Sequence, residues 1–95
     1  MFAGSFLSSG QNTTSQVLTT AIFDNTSSDY YQDAVSLATG TTGAATLSTN
    51  LEIGGQQGGL ATWHGHIQEV IVYPTDQTAN RAAIEIEINA RYSIY

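Results

Sequence analysis

Residues 62–74, Thr-Trp-His-Gly-His-Ile-Gln-Glu-Val-Ile-Val-Tyr-Pro, hold the side chains whose types and spacing come nearest to a chemical motif. His64 and His66 stand two positions apart. In extended backbone such positions project to the same side, and two imidazoles on one side can begin a Zn²⁺ or Cu²⁺ site. A site needs at least a third ligand. The sequence has no Cys and no His-Glu-x-x-His pattern, and Glu69 falls on the opposite face of a regular strand. The expectation is two exposed histidines at the mouth of a strand, with no metal ligand set.

The other candidates for chemistry are carboxylates, hydroxyls and aromatic rings. Asp24, Asp29, Asp33, Glu52 and Glu69 could in principle supply the acid and nucleophile of glycoside hydrolysis. They fall at turns or strand ends, where Asp commonly serves the backbone, and no Glu-x-Asp-x-x-Glu motif holds a pair together. No Ser lies in a Gly-x-Ser-x-Gly context. The glycine pairs at 54–55 and 58–59 follow a strand without opening a helix, so a phosphate loop is not supported. No catalytic residue is therefore expected. Asn12-Thr13-Thr14 and Asn25-Thr26-Ser27 match the N-glycosylation pattern, with no secretion signal to accompany them. Trp63, Tyr30, Tyr31 and Tyr73 are the rings best suited to stacking on sugars, although tyrosine and tryptophan are equally at home half-buried in a sheet. With His64 beside the tryptophan, the candidate carbohydrate-binding set is Trp63, Tyr30, Tyr31 and His64.

Bulk composition narrows the setting. The chain has 95 residues, enough for one domain. Charged residues make up 11% of it, against about 25% in an average globular domain. Surface polarity must then come from Ser, Thr, Asn and Gln, which suits β-structure on extracellular or virion surfaces better than a cytosolic helical enzyme. The net charge is −6, and Arg81 and Arg91 are the basic residues. A chain so poor in cations cannot neutralise a row of phosphates, which argues against nucleic acid and against anionic membranes. The start, Met1 to Leu7, lacks the basic segment of a signal peptide. No apolar run approaches the length of a membrane span.

The elements that must position these residues are mostly strands. Residues 8–16 read as a polar loop. Residues 17–24 alternate and are rich in β-branched side chains, so they read as a strand, followed by a turn at Asn25–Ser28. Residues 29–38 read as a second strand pair or as one kinked strand, bent at Asp33-Ala34. Residues 39–46 form a loop, 51–55 a short strand and 56–61 a flexible link. Residues 66–73 form the strongest strand, with Ile67, Val70 and Val72 in the core. Gly65 bends the chain into it and Pro74 ends it. The period then changes. Thr75 or Asp76 can cap a helix running to about Arg91, with Ile84, Ile88 and Tyr92 on one stripe. Arg81/Glu85 and Glu87/Arg91 sit four apart as potential ion pairs.

The expected class is all-β with one C-terminal helix at about 75–91, in a single domain spanning 1–95. Four or five short strands make one sheet, not a two-layer sandwich, and edges without Lys are poorly protected. Such a sheet must bury an edge or a face against a second copy, another chain or a preceding half.

Residues 65–95, Gly-His-Ile-Gln-Glu-Val-Ile-Val-Tyr-Pro through Arg-Tyr-Ser-Ile-Tyr, resemble the C-terminal end of concanavalin A-like (laminin G-like) jelly-roll domains, most of all those of phage structural proteins. There, a Gly and an Ile-x-Glu-Val/Ile strand ending in Tyr lead into an Arg-containing helix and a closing Tyr. The stretch 21–43 resembles the family's strand–turn–strand, with Asp33-Ala34 where Asp-Gly is usual, so a wider turn is expected; Leu51–Gly55 resembles the next strand. The resemblance runs from about residue 17 onward and corresponds to the second half of a longer antiparallel β-sandwich. It implies a partial sandwich completed by assembly, in a non-enzymatic virion structural or decoration protein that joins itself or a capsid or tail partner. It also implies carbohydrate binding, sometimes with Ca²⁺, although none of the family's ligand positions maps onto a residue here.

Overall fold

A computed structural model describes residues 14–43 and 64–95. Three strands, β1 (Thr19–Ile22), β2 (Ser28–Gln32) and β3 (Val35–Gly40), form one antiparallel sheet in the order β1-β2-β3, and a helix, α1 (Arg81–Tyr92), follows near the C-terminus. The described residues are thus a small antiparallel sheet with one helix. The expected strand at 51–55, the link at 56–61, Glu52, Trp63 and the first glycosylation pattern begin in or lie within stretches outside the described residues.

The first strand forms where alternation predicts it. Thr20 and Ile22 are half-buried while Thr19 and Ala21 are exposed, the period-two pattern of a strand with one covered face. A short 3₁₀ turn at Asn25–Ser27 leads into β2. Ser28 organises that turn: its hydroxyl accepts the N–H of Asp24 at 2.9 Å and contacts the hydroxyl of Thr42 at 2.7 Å. The Thr42 N–H donates to the carbonyl of Asn25 at 2.9 Å. Both side chains are fully buried, so this pair of hydroxyls fastens the end of β3 to the β1–β2 connection.

Between the two alternatives for residues 29–38, the structure selects a strand pair. Asp33 and Ala34 both adopt positive φ, 51° and 65°, and Gln32 pairs with Val35 across them. This is a tight two-residue hairpin of the kind whose backbone twist matches the sheet, not the wider turn expected from the missing glycine. The reason lies in the residue just before β1. The Asp33 N–H donates to the Leu18 carbonyl at 2.9 Å, and the Leu18 N–H donates back to the Asp33 carboxylate at 2.8 Å. These bonds hold the turn although Ala34 gains nothing from a left-handed conformation. One register shift occurs between Tyr30 and Tyr31, which oppose Ala38 and Ser36; Leu37 has no directly opposed residue, a bulge that increases local twist.

The helix starts later than the capping residues predict. Asp76 does accept hydrogen bonds, from the N–H of Thr78 at 2.8 Å and its hydroxyl at 2.6 Å, and these hold its carboxyl below the usual range. The turn it opens is a 3₁₀ turn at Thr78–Asn80, and regular α-geometry runs from Arg81 to Tyr92. Ile84, Ile88 and Tyr92 lie on the less exposed face, as their spacing predicts, together with Arg81, Glu85 and Asn89. At the far end Ser93 takes a left-handed conformation (φ 51°) and its N–H donates to the Asn89 carbonyl. The Asn89 side chain then accepts the N–H groups of Ile94 and Tyr95 at 2.7 and 2.9 Å. The last residues are thereby folded back over the helix end.

Residues 66–73 depart most from expectation. They form no strand, and Ile67, Val70 and Val72 are not core but 50, 50 and 58% exposed. Alternation records what a segment can pair as; a ladder also needs an edge brought alongside it, and no backbone hydrogen bond joins this segment to another described one. Among the described residues the buried side chains are Ser28, Thr42 and Glu85, all polar, and no large apolar side chain is buried. No helix among them is long and apolar enough to cross a membrane.

Because Ala34 occupies a left-handed position that costs a β-carbon about 1–2 kcal/mol, Ala34→Gly should raise stability by about 0.5–1 kcal/mol after the extra chain entropy of glycine is subtracted. A urea midpoint that falls in the variant would contradict the hairpin geometry.

Candidate functional site

Two polar constellations stand out, and they differ in what they can do. The first surrounds the histidines. His64, Gly65, His66 and Gln68 face Thr14, Ser15 and Gln16 across an open recess of about 480 Å³. The Gln16 side-chain amide donates to the Gln68 side-chain carbonyl, which ties the segment before β1 to the segment before α1. Both histidines are exposed. Among the described residues no group of three His, Cys, Asp or Glu side chains could hold a metal ion. The described donors of this recess therefore do not make a Zn²⁺ ligand set, which needs at least three such groups. What the recess offers is a set of amides, hydroxyls and imidazoles suited to exchanging hydrogen bonds with a polar ligand.

The second constellation joins helix to sheet. The Arg81 guanidinium lies over the Tyr31 ring, 3.9 Å from its centroid, and donates to the Glu85 carboxylate one helical turn on. Glu85 is 1% exposed, and its second oxygen, Oε1, has no hydrogen-bond partner. The Tyr31 phenol is held above its ordinary value by hydrogen bonding to Asp29, then by burial and by the negative charge of Asp29. Asp29 in turn accepts the Ser36 hydroxyl at 2.7 Å from the neighbouring strand. The Tyr95 phenol is also raised, by burial first and then by the charges of Glu85 and Asp33. The hairpin, the helix and the folded-back C-terminal residues thus meet around one stacked cation.

The candidate carbohydrate-binding residues are not gathered in one place. Tyr30 and Tyr31 are successive residues of β2, so they face opposite sides of the sheet, and a face of the Tyr31 ring is covered by Arg81. His64 lies on the recess, apart from that stack. Trp63, next to it in sequence, is outside the described residues. The candidate carboxylates have other employment: Asp33 holds the hairpin turn, Asp29 accepts from Ser36, and Glu69 pairs with Arg91 at 3.3 Å. That last pair replaces the expected Glu87/Arg91 pair, because Arg91 reaches across to the segment before the helix instead of along its own turn.

The i, i+4 spacing of Arg81 and Glu85 predicts their ion pair, but not the stack of Arg81 on Tyr31 or the burial of Glu85. A signal existed: both residues share the helical stripe of Ile84, Ile88 and Tyr92, and a charged pair on an apolar stripe is a buried pair if that stripe is covered. No family model, no curated protein and no solved structure matches the chain.

Removing one member of a buried ion pair leaves the other charge unpaired and typically costs about 3–5 kcal/mol, whereas replacing both by apolar residues is often neutral or stabilising. Arg81→Met should therefore lower stability by about 3 kcal/mol, and the double variant Arg81→Met/Glu85→Met should recover most of it. A single variant as stable as the parent in urea denaturation would show that Arg81 does not tie the helix to the sheet.

Proposed function

We propose that the chain is a non-enzymatic virion structural or decoration protein, a lectin-like β-domain that assembles with itself or with a capsid or tail partner. The observation that carries the assembly part is the distribution of apolar surface: Val35, Ile67, Val70, Val72 and Ile86 are each at least half exposed, while no large apolar side chain among the described residues is buried. A soluble domain rarely leaves its best hydrophobic residues in water unless a partner covers them. The virion setting is supported by the resemblance of residues 65–95 to phage jelly-roll domains and by the acidic, Ser/Thr-rich composition. In this reading the three-stranded sheet is part of an antiparallel jelly-roll sandwich whose remaining surface is supplied by assembly.

Quantitative mass spectrometry of purified particles is expected to find the chain at many copies per particle. Its absence from particles, with the chain present in the producing cells, would overturn the virion assignment.

A second reading, a carbohydrate-binding module, is favoured by one observation: the hydrogen-bonding recess of Gln16, His64, His66 and Gln68 adjoins Trp63 in sequence. Sugar sites combine an aromatic platform with convergent polar groups. On this reading Trp63→Ala abolishes binding on a glycan array and Tyr30→Ala weakens it; unchanged binding in Trp63→Ala, or no binding by the parent, removes the reading.

A further inference from the structure

The recess before β1 sets two imidazoles beside a pair of side-chain amides. His64 and His66 both border it, with the chain bent at Gly65 between them, and both are exposed. Gln16 and Gln68 border it as well, joined through their amides. We propose that this recess binds one Cu²⁺ ion. His64 and His66 are its nitrogen ligands, the Gln16 side-chain carbonyl is its oxygen ligand, and water fills the remaining positions. This is a property of the single chain and is independent of any assembly.

Charge and donor type select the ligand class. A chain of net charge −6 repels anions and draws cations towards its surface, so phosphates and carboxylates are disfavoured. No aromatic ring is among the described residues that line the recess, so the recess itself gives a sugar no stacking platform. No carboxylate is among them either, which disfavours Ca²⁺ and Mg²⁺, hard cations held by oxygen and above all by carboxylates. Imidazole nitrogen suits first-row transition metals instead.

Two histidines alone would be an incomplete site, and the third ligand that the sequence does not reveal comes from the segment before β1. The Gln16 NH₂ donates to the Gln68 carbonyl, which leaves the Gln16 carbonyl oxygen to serve a metal. A search among His, Cys, Asp and Glu side chains passes over such an amide oxygen. Two nitrogens and one oxygen completed by water form a tetragonal N,O set, the preference of Cu²⁺ and Ni²⁺, and Cu²⁺ stands at the top of the divalent affinity order. A structural Zn²⁺ would need a closed tetrahedron of protein ligands. Because the imidazoles are exposed, they can take up an ion without any opening of the fold. The ion then strengthens the tie between segments 14–16 and 64–68 that the two amides already make.

The test uses the full chain without a histidine tag and Cu²⁺ itself as the probe, followed by isothermal titration and electron paramagnetic resonance. One equivalent should bind, with coupling from two imidazole nitrogens in the resonance spectrum. Loss of an outer partner of a metal ligand already costs about 10–100-fold in affinity, so His64→Ala and His66→Ala should each weaken binding by about 100-fold and leave one coupled nitrogen. Gln16→Ala should weaken it by about 10-fold with both nitrogens still coupled. All three side chains are exposed, so each variant should keep the circular dichroism spectrum of the parent. Ni²⁺ and Zn²⁺ should bind more weakly than Cu²⁺. Failure of the parent to bind, coupling from fewer than two nitrogens, or binding that survives in the double variant His64→Ala/His66→Ala overturns the site. Unchanged affinity in Gln16→Ala overturns the three-donor ligand set, and tighter binding of Zn²⁺ than of Cu²⁺ overturns the choice of metal.

Discussion

The Arg81 guanidinium is the point at which helix and sheet become one structure. Its flat cation stacks on the Tyr31 ring of β2 and donates to the buried Glu85 of its own helix. Guanidinium suits this place because it can stack and hydrogen-bond at once and is weakly hydrated; an ammonium would do neither stacking nor planar donation as well. Burial of Glu85 is tolerable only because that cation is present. The orphaned Oε1 of Glu85 shows that the arrangement is still incompletely satisfied, a cost in a domain whose described part buries no large apolar side chain.

The same chemistry recurs at smaller scale. Ser28 and Thr42 bury their hydroxyls against each other where another protein would place apolar side chains. Asp33 closes the hairpin through two bonds with Leu18, and Asn89 gathers the last residues with its side-chain amide. Directional bonds fix geometry well, but each adds only about 1 kcal/mol net. Non-directional apolar burial, the dominant favourable term in folding, is largely unspent in the described residues. Among the described residues, the apolar side chains able to supply that stabilisation are at least partly exposed.

The two halves of the 62–74 stretch can now be separated. The histidine half lines a recess that holds polar donors and acceptors without a Zn²⁺ ligand set among the described residues. The apolar half is neither core nor ladder. Glu69, bonded to Arg91, ties that half to the helix, while its hydrophobic side chains remain substantially exposed.

Much of the local structure was legible in the residues themselves. Alternation located β1, Asn25–Ser28 marked the following turn, Asp33-Ala34 marked the bend, and the period of Ile84, Ile88 and Tyr92 identified the covered face of α1. These features depend on neighbours a few positions away, and a sequence displays such neighbours directly. Tertiary structure alone decided that the bend is a tight hairpin, since Leu18 supplies the bonds that stabilise it. It decided that Arg91 serves Glu69 and not Glu87, that Arg81/Glu85 is buried against Tyr31, and that residues 66–73 form no ladder with another described segment. Each of these depends on which distant group arrives at a given surface. Periodicity shows which face of a segment prefers burial, but it carries no information about whether anything comes to cover it.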